Sequence, residues 1–217
     1  MSASQTLVAT RNAGKLRELR ALFSGLGIDL VDLDAAGVAE SAVEESLEAH
    51  ETFEENALAK ARHFHRATGL PTIADDSGLA VDALGGAPGV HSKRYSGVVG
   101  DAATVDRVNN AQLQRELAGI VDRRARFVCA AAYVDAEREL TARGEAPGVI
   151  LTEPRGAGGF GYDPYFFSDE LGMTFAEASI PLKERASHRG RAFRALVAQL
   201  AGAWGPGVAV DGPGRTG

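Results

Sequence analysis

The segment Ile73-Ala74-Asp75-Asp76-Ser77-Gly78-Leu79 sets two carboxylates side by side behind a short apolar run. Two ionised acids in one cleft repel each other unless a metal cation or a lysine lies between them. Hard carboxylate oxygens suit Mg2+, which takes one or two of them together with the phosphates of a substrate. The same pair also reads as an Asx-type turn that ends a strand. Lys60 supplies a cation. Taking Phe53 as origin and about 100° per residue, Ala57, Ala61 and Phe64 fall within roughly 80°, Lys60 at roughly −20° and Asn56 at roughly −60°. A lysine at the edge of an apolar stripe either snorkels to water or faces a polar cleft. Ahead of it, Glu44, Glu45, Glu48, Glu51, Glu54 and Glu55 form an acidic run, mostly solvated, of which one member could reach a metal.

Three further segments bear on anions and bases. Thr10-Arg11-Asn12-Ala13-Gly14-Lys15 sits where a strand gives way to a helix. Free N–H groups at a helix start favour anions, whereas a lysine there opposes the helix dipole. A bound anion would resolve that conflict; a capped surface helix with a stray lysine is the plainer reading. It is not a Walker P-loop, because the glycine spacing is missing. Lys183-Glu184-Arg185-Ala186-Ser187-His188-Arg189 repeats the conflict ahead of the last helix, and also reads as a solvated basic turn. Gly156-Ala157-Gly158-Gly159-Phe160-Gly161-Tyr162-Asp163-Pro164 combines close backbone approach with two aromatic rings able to stack on a base. A long hairpin anchored by those rings would look the same.

These residues must be positioned by alternating strands and helices. The run 6–10 reads as a buried strand, and Asn12 caps a helix with Leu16, Leu19, Leu22 and Phe23 on one stripe. Thr52-Phe53-Glu54-Glu55 has the form of a capping box for a helix reaching Thr68, stopped by Gly69 and Pro71. Residues 71–74 and 147–152 read as short strands, Ser77-Gly78 as loop, and 126–134 as the strongest strand. Asp101 starts a helix whose stripe is Val105, Val108, Leu113 and Leu117. The last helix, 187–202, carries Phe193, Leu196, Val197 and Leu200. The pattern predicts an α/β fold with a mixed sheet: one domain over residues 1–203 and a flexible Gly/Pro-rich tail at 204–217.

Composition narrows the field. The chain has 217 residues, 23 basic against 29 acidic, and a net charge of −6. That balance argues against a nucleic-acid partner, which needs a basic footprint. It leaves room for one small anion in a local basic pocket. The single cysteine, Cys129, excludes an internal disulfide framework. The apolar run 127–134 is too short for a membrane span. The first residues carry no secretory pattern, so a cytoplasmic location is expected.

Six motifs, in order, resemble the inosine triphosphate pyrophosphatase family, the non-standard purine nucleoside triphosphate (dITP/XTP) diphosphatases. They are Thr10 to Lys15; Thr52 to Ala61; Asp75-Asp76-Ser77-Gly78-Leu79; Gly85-Gly86-Ala87-Pro88-Gly89-Val90 with Arg94-Tyr95-Ser96-Gly97; Gly158 to Pro164; and Ser187-His188-Arg189-Gly190. The resemblance implies an elongated two-lobed fold around a long mixed sheet, with the active-site cleft between the lobes. It implies a homodimer that needs Mg2+ and splits ITP, dITP and XTP into monophosphate and pyrophosphate. Thr10, Arg11, Asn12, Ala13, Gly14 and Lys15 would form the phosphate-binding turn. Asp76 would accept a proton and, with Glu48 and Asp75, hold the metal. Lys60 would face the phosphates. Ser77, Phe160, Gly161, Tyr162 and Asp163 would contact the nucleotide, and Lys183, His188 and Arg189 the base and nearby groups. Two departures stand out. Arg11 replaces a frequent glycine, and it either touches phosphate or points outward. Glu48-Ala49-His50-Glu51 replaces Glu-Thr-Gly and a variable residue, so Glu44 or Glu45 could stand in for Glu48. A non-catalytic nucleotide binder, or a pyrophosphatase of other base preference, is the alternative.

Overall fold

Strand β1 (Gln5–Val8) ends where Asn12 caps α1 (Ala13–Phe23), the Asn12 side chain accepting from the Lys15 amide. The computed structural model describes residues 5–24 and 28–200, so the expected tail at 204–217 lies outside the described residues. After β2 (Asp29–Asp32) and the single turn α2 (Val43–Ser46) comes α3 (Phe53–Thr68). Its ends follow the expected chemistry: Thr52 accepts from the Glu55 amide, and Gly69 closes the helix at φ 71°. The chain continues with β3 (Thr72–Val81), α4 (Ala102–Glu116), β4 (Arg124–Val134) and β5 (Glu139–Ile150). It closes with β6 (Phe166–Ser168), β7 (Met173–Thr174), α5 (Ile180–Ala186) and α6 (His188–Leu200). No helix among the described residues is long and apolar enough to cross a membrane.

The seven strands form one mixed sheet in the order β2-β1-β3-β4-β5-β6-β7. β1 runs parallel to both neighbours, and every other pairing is antiparallel. Two strands are longer than their apolar patterns. β3 continues through Ser77 and Gly78, where a loop is expected, because β4 pairs with it from Thr72↔Val134 to Val81↔Ala125. Gly78 permits this: a Cβ there would stand 2.2 Å from the Gly89 carbonyl and 2.4 Å from Ser92 Oγ. β5 likewise begins at Glu139, well before the expected residue 147. Long-range pairing satisfies the backbone of polar residues that carry no strand pattern themselves.

Three hydrophobic clusters hold the sheet. α3 lays Ala57, Ala61 and Phe64 on one face, against Ala74, Ala130 and Ala132. α1 and α6 lay Leu19, Phe23, Phe193, Leu196 and Val197 on the other, against Ile73, Cys129, Ala131 and Tyr133. Alanines in β4 let the helices come close from both sides at once. The third cluster gathers Leu79, Val81, Phe127, Phe166 and Phe175 with Leu113 of α4. The long sheet thus carries two lobes, the helix-clad part and this aromatic end. Asp75, Asp76, Ser77 and Gly78 lie on β3 between Ile73-Ala74 of the first and Leu79 of the second. The buried side of α4 differs from the expected stripe. Asn109, Asn110 and Leu113 face inward, whereas Val105 and Val108 are half-exposed.

Candidate active site

Alternate side chains of a strand point to opposite faces, so adjacent carboxylates on β3 cannot share one. Asp76 stands over Ala130 on the α3 face, and Asp75 beside Ala131 on the α1/α6 face. The β1 ladder stops at Val8↔Ile73, leaving the β3 edge beyond it unpaired by strand. There the Asp75 carbonyl accepts from Lys60 Nζ at 2.5 Å. The acids therefore sit beside the carboxyl end of a parallel strand, where sheets of this class open a crevice for ligands.

On the α3 face, Asn56 is a hub. Its amide donates to Asp76 Oδ2 at 2.8 Å, and its Oδ1 accepts from the His50 amide at 2.9 Å. Lys60 Nζ also meets Glu48 Oε1 at 2.8 Å, and Arg94 donates to the Glu48 carbonyl at 2.8 Å. Lys60 is buried, so of the two readings for a stripe-edge lysine the polar cleft holds and snorkelling does not. Burial works to raise Glu48, but Lys60 and Lys15 bring it down to about 2. Burial raises Asp76 above the ordinary aspartate value, with Lys60 and Lys15 opposing it and Glu48 adding to it. A carboxylate poised upward in this way is a better proton acceptor than an ordinary one.

On the opposite face the charges form a chain. Lys15 Nζ lies 3.0 Å from Asp75 Oδ2, and Arg189 Nη2 lies 3.1 Å from the same oxygen and 2.8 Å from Ser77 Oγ. Arg189 Nη1 also pairs with Glu18. Glu18 Oε1 holds Lys183 Nζ at 2.6 Å, and Lys183 bonds Asp163 Oδ2 at 2.5 Å. Burial would raise Asp75, yet Lys15 and Arg189 hold it well below the usual carboxylate range. The Phe160 ring spans this row, 4.8 Å from Lys183 Nζ and 5.9 Å from the Arg189 guanidinium. It rests on the 10–15 turn: a Cβ on Gly14 would come within 2.6 Å of the ring. His188 stacks on Phe127 at 4.7 Å and 10°. Gly144 makes room for it, since a Cβ there would stand 2.2 Å from the His188 carbonyl. Asp75 Oδ1 and His188 Nδ1 are buried without a hydrogen-bond partner among the described residues. Thr6 Oγ1 and Asn110 Oδ1 share that state, which inside a protein goes with strain, a catalytic role or a bound water or ion.

The structure thus gathers most of the residues read from sequence, with three differences. Glu48, Asp75 and Asp76 do not converge as one metal cluster, and no group of three possible ligands occurs among the described residues. The pleat separates Asp75, whose carboxylate is committed to cations. Arg11 does not point outward. Its guanidinium binds Glu44, Asp34 at 2.9 Å and the Val38 carbonyl at 2.9 Å, tying the turn to the segment before α2. Glu44 is thereby occupied and does not replace Glu48. Tyr162 buries its ring in the aromatic lobe, with its hydroxyl donating to the Ser92 carbonyl at 2.9 Å. In the turn itself, Thr10 Oγ1 accepts from the Asn12 amide at 3.2 Å. The amides of Ala13 and Gly14 begin α1 and, by helix geometry, have no partner within it.

Several participants escape the sequence reading. Glu18 lies one turn beyond Lys15, on the side of α1 that carries Leu22, and that spacing is its only signal. Asn56 stood at the stripe edge without an assigned role. Asn109 donates to the Ser92 and Lys93 carbonyls at 3.3 and 3.0 Å and accepts from Ser96, bracing the 89–97 turn. Nothing in a polar helix face announces such long-range bonds.

One prediction follows from His188. Burial, with Arg189 and Lys183 nearby, holds it well below the ordinary histidine value, so it is neutral when folded. The unfolded chain takes up that proton below pH ~6.5, so stability falls as pH drops through that range, by up to about 1.4 kcal/mol per unit. Urea midpoints at pH 7.5, 6.0 and 5.0 should show this slope, and His188→Gln should flatten it. An unchanged slope in the variant would assign the effect to other groups. Below pH ~4.5 the depressed Glu48 and Asp75 add further loss of stability in the same direction.

Comparison with known proteins brings these features together. A sequence model of the Ham1 family matches residues 6–199. A dITP/XTP pyrophosphatase of Burkholderia pseudomallei is 52% identical over 200 residues, covering 91% of this chain and 93% of the relative. The structure of a HAM1 protein from Coxiella burnetii superposes with a TM-score of 0.77 at 37% identity, covering 92% of this chain and 99% of that one. A Mycobacterium abscessus structure described as a nucleoside-triphosphatase and dITP/XTP pyrophosphatase gives a TM-score of 0.65 at 44% identity, covering 90% and 98%.

Proposed function

This chain belongs to the Ham1 family, and from that premise we propose that it hydrolyses non-standard purine nucleoside triphosphates (ITP, dITP and XTP) to the monophosphate and pyrophosphate. One observation carries the reading. Phe160 packs on the 10–15 turn at Gly14, where Lys15 holds the Asp75 carboxylate, while Lys60 binds Glu48 and the Asp75 carbonyl beside Asp76. A base stacked on that ring brings its phosphates to both lysines.

In this reading the α-phosphorus lies by Asp76. Asp76 accepts the proton of an attacking water, with Asn56 and the Ser77 amide fixing its carboxylate. Lys15 and Lys60 exchange their carboxylate partners for phosphate oxygens and neutralise charge as pyrophosphate leaves. Glu48, beside Lys60, and Asp76, beside Asn56, offer hard oxygen donors on the α3 side of the sheet and would hold Mg2+ together with substrate phosphates. When bound, the metal supplies further screening of phosphate charge. Asp75 serves differently: it anchors Arg189, and holds Lys15 until phosphate takes its place. Arg189 spends its donors on Asp75, Glu18 and Ser77, and His188 Nδ1 is a buried polar atom without a partner among the described residues. A 6-oxo purine offers an acceptor to such donors; adenine offers an amino group and leaves a buried donor unpaired. The enzyme acts as a cytoplasmic homodimer, with neither nucleic acid nor membrane as partner.

With Mg2+, pyrophosphate release from ITP and XTP should exceed that from ATP by about a hundredfold or more, and should also exceed that from GTP, which shares the 6-oxo group and must be rejected at its 2-amino position. Equal turnover of the four would remove the base preference. Orthophosphate in place of pyrophosphate would remove attack at the α-phosphorus. Tight ITP binding without turnover would favour a non-catalytic nucleotide binder.

A further inference from the structure

Helix α4 carries none of the residues expected to do chemistry, yet two of its side chains grip the aromatic loop. Asp106 Oδ2 accepts from the Gly161 amide at 2.7 Å. Asn110 Nδ2 donates to the Gly161 carbonyl at 2.9 Å and to the Asp106 carbonyl at 2.8 Å. Four residues apart, Asp106 and Asn110 share one face of the helix. Gly161 sits at φ 61°, in the left-handed region that favours glycine. Its amide and its carbonyl are thus both taken by a separate element of the fold.

On either side of this glycine stand the two rings of the loop. The Tyr162 hydroxyl is anchored to the Ser92 carbonyl, and the Phe160 amide donates to Asp163 Oδ2 at 2.9 Å. The Phe160 ring itself is only half-buried, reaching out over Gly14 and beside Lys183. Its direction follows from the peptide planes before and after Phe160; Asp106 holds the second of these through the Gly161 amide, and Asn110 holds the next one through the Gly161 carbonyl.

We propose that Asp106 and Asn110 are positioning residues for the nucleoside part of the substrate. They hold Gly161 so that the Phe160 ring is already placed for stacking before a base arrives. The proposal rests on the nucleotide-binding reading above. A loop without the clamp has to be ordered at each binding event, and the affinity lost is that of the base-bearing portion. The phosphate turn is built by β1 and α1, so phosphate affinity and the chemical step do not share the loss.

The test uses the full chain with Asp106→Ala, Asn110→Ala and Asp106→Asn, the last of which keeps an oxygen acceptor. The probes are inosine monophosphate and inorganic pyrophosphate by calorimetry, ITP turnover, and hydrogen exchange of the loop. Each alanine variant should weaken inosine monophosphate about tenfold or more while pyrophosphate affinity stays within about twofold. For ITP, KM should rise by a similar factor with kcat within about threefold. Amides 158–163 should exchange faster while amides 10–15 do not change. Asp106→Asn should restore most of the monophosphate affinity. Equal weakening of both probes, a fall in kcat at constant KM, or unchanged exchange at 158–163 would each overturn the proposal. If the parent chain neither binds the monophosphate nor turns over ITP, the functional reading fails, and the exchange measurement still decides whether α4 holds the loop.

Discussion

Asp76→Asn lowers kcat for ITP by about a hundred- to ten-thousandfold, with KM within a few-fold of the parent. The substitution keeps the size and shape of the side chain but removes the group that accepts a proton. Burial raises Asp76 above the ordinary aspartate value, against the pull of Lys60 and Lys15. The carboxylate is therefore more basic than an ordinary aspartate and better able to take a proton. The hydrogen-bond frame limits damage to the fold. Asp76 Oδ1 accepts from the Ser77 amide at 3.0 Å and Oδ2 from Asn56 at 2.8 Å. An asparagine satisfies one of these and faces a donor at the other, a loss of about 1 kcal/mol offset by removing a desolvated charge. Melting temperature should thus barely move while turnover collapses. Turnover within threefold of the parent would show that Asp76 is not the proton acceptor. Asp75→Asn is the internal comparison. Its carboxylate faces away from Asp76 and is held by Lys15 and Arg189, so its loss should act through cation placement and show more strongly in KM.

Arg189→Met produces the largest loss of stability. The Arg189 side chain is 3% exposed and the Asp75 side chain it binds is 0% exposed. Removing one member of a buried ionic network leaves the others uncompensated, which costs about 3–5 kcal/mol. In a chain of this size that lowers the melting temperature by roughly 10 °C. Lys15 and Lys183 remain beside Asp75 and Glu18 and keep the effect at the lower end of that range. Arg189→Lys should recover little, because one ammonium cannot reach Asp75, Glu18 and Ser77 together. The double variant Arg189→Met with Asp75→Asn should melt above Arg189→Met alone, since the buried carboxylate no longer lacks its partner. A melting temperature within 1–2 °C of the parent for Arg189→Met would mean that the network adds no net stability. The same variants separate support from chemistry, because Arg189 joins β3, α1 and α6 at the point where the aromatic loop closes.

The helix starts were legible because their signals are local. Asn12, Thr52 and Asp101 each cap the helix expected after them. The stripe positions of α6 reappear in the core beside Phe23. The candidate site was legible as a set of motifs, and Lys60 even by its angle on α3. Strand lengths were not: β3 owes its polar stretch to β4, more than 50 residues away at Ser77↔Cys129, and β5 owes its first half to the hairpin with β4 that starts at Glu139↔Val134.

Residue types and local spacing determined an α/β chain with paired acids, two flanking lysines and a glycine-rich aromatic loop. Tertiary structure decided how those groups are shared out. Because β3 runs on through Ser77, its pleat turns Asp76 toward Asn56 and Lys60 and Asp75 toward Lys15 and Arg189. It also decided where Arg11 goes, drew Glu18 into the site, and made α4 a brace for Gly161. The reason is physical. Caps and stripes are written within about four residues of themselves. The direction of a strand side chain, and the partner of a buried charge, depend on segments that meet only when the sheet closes.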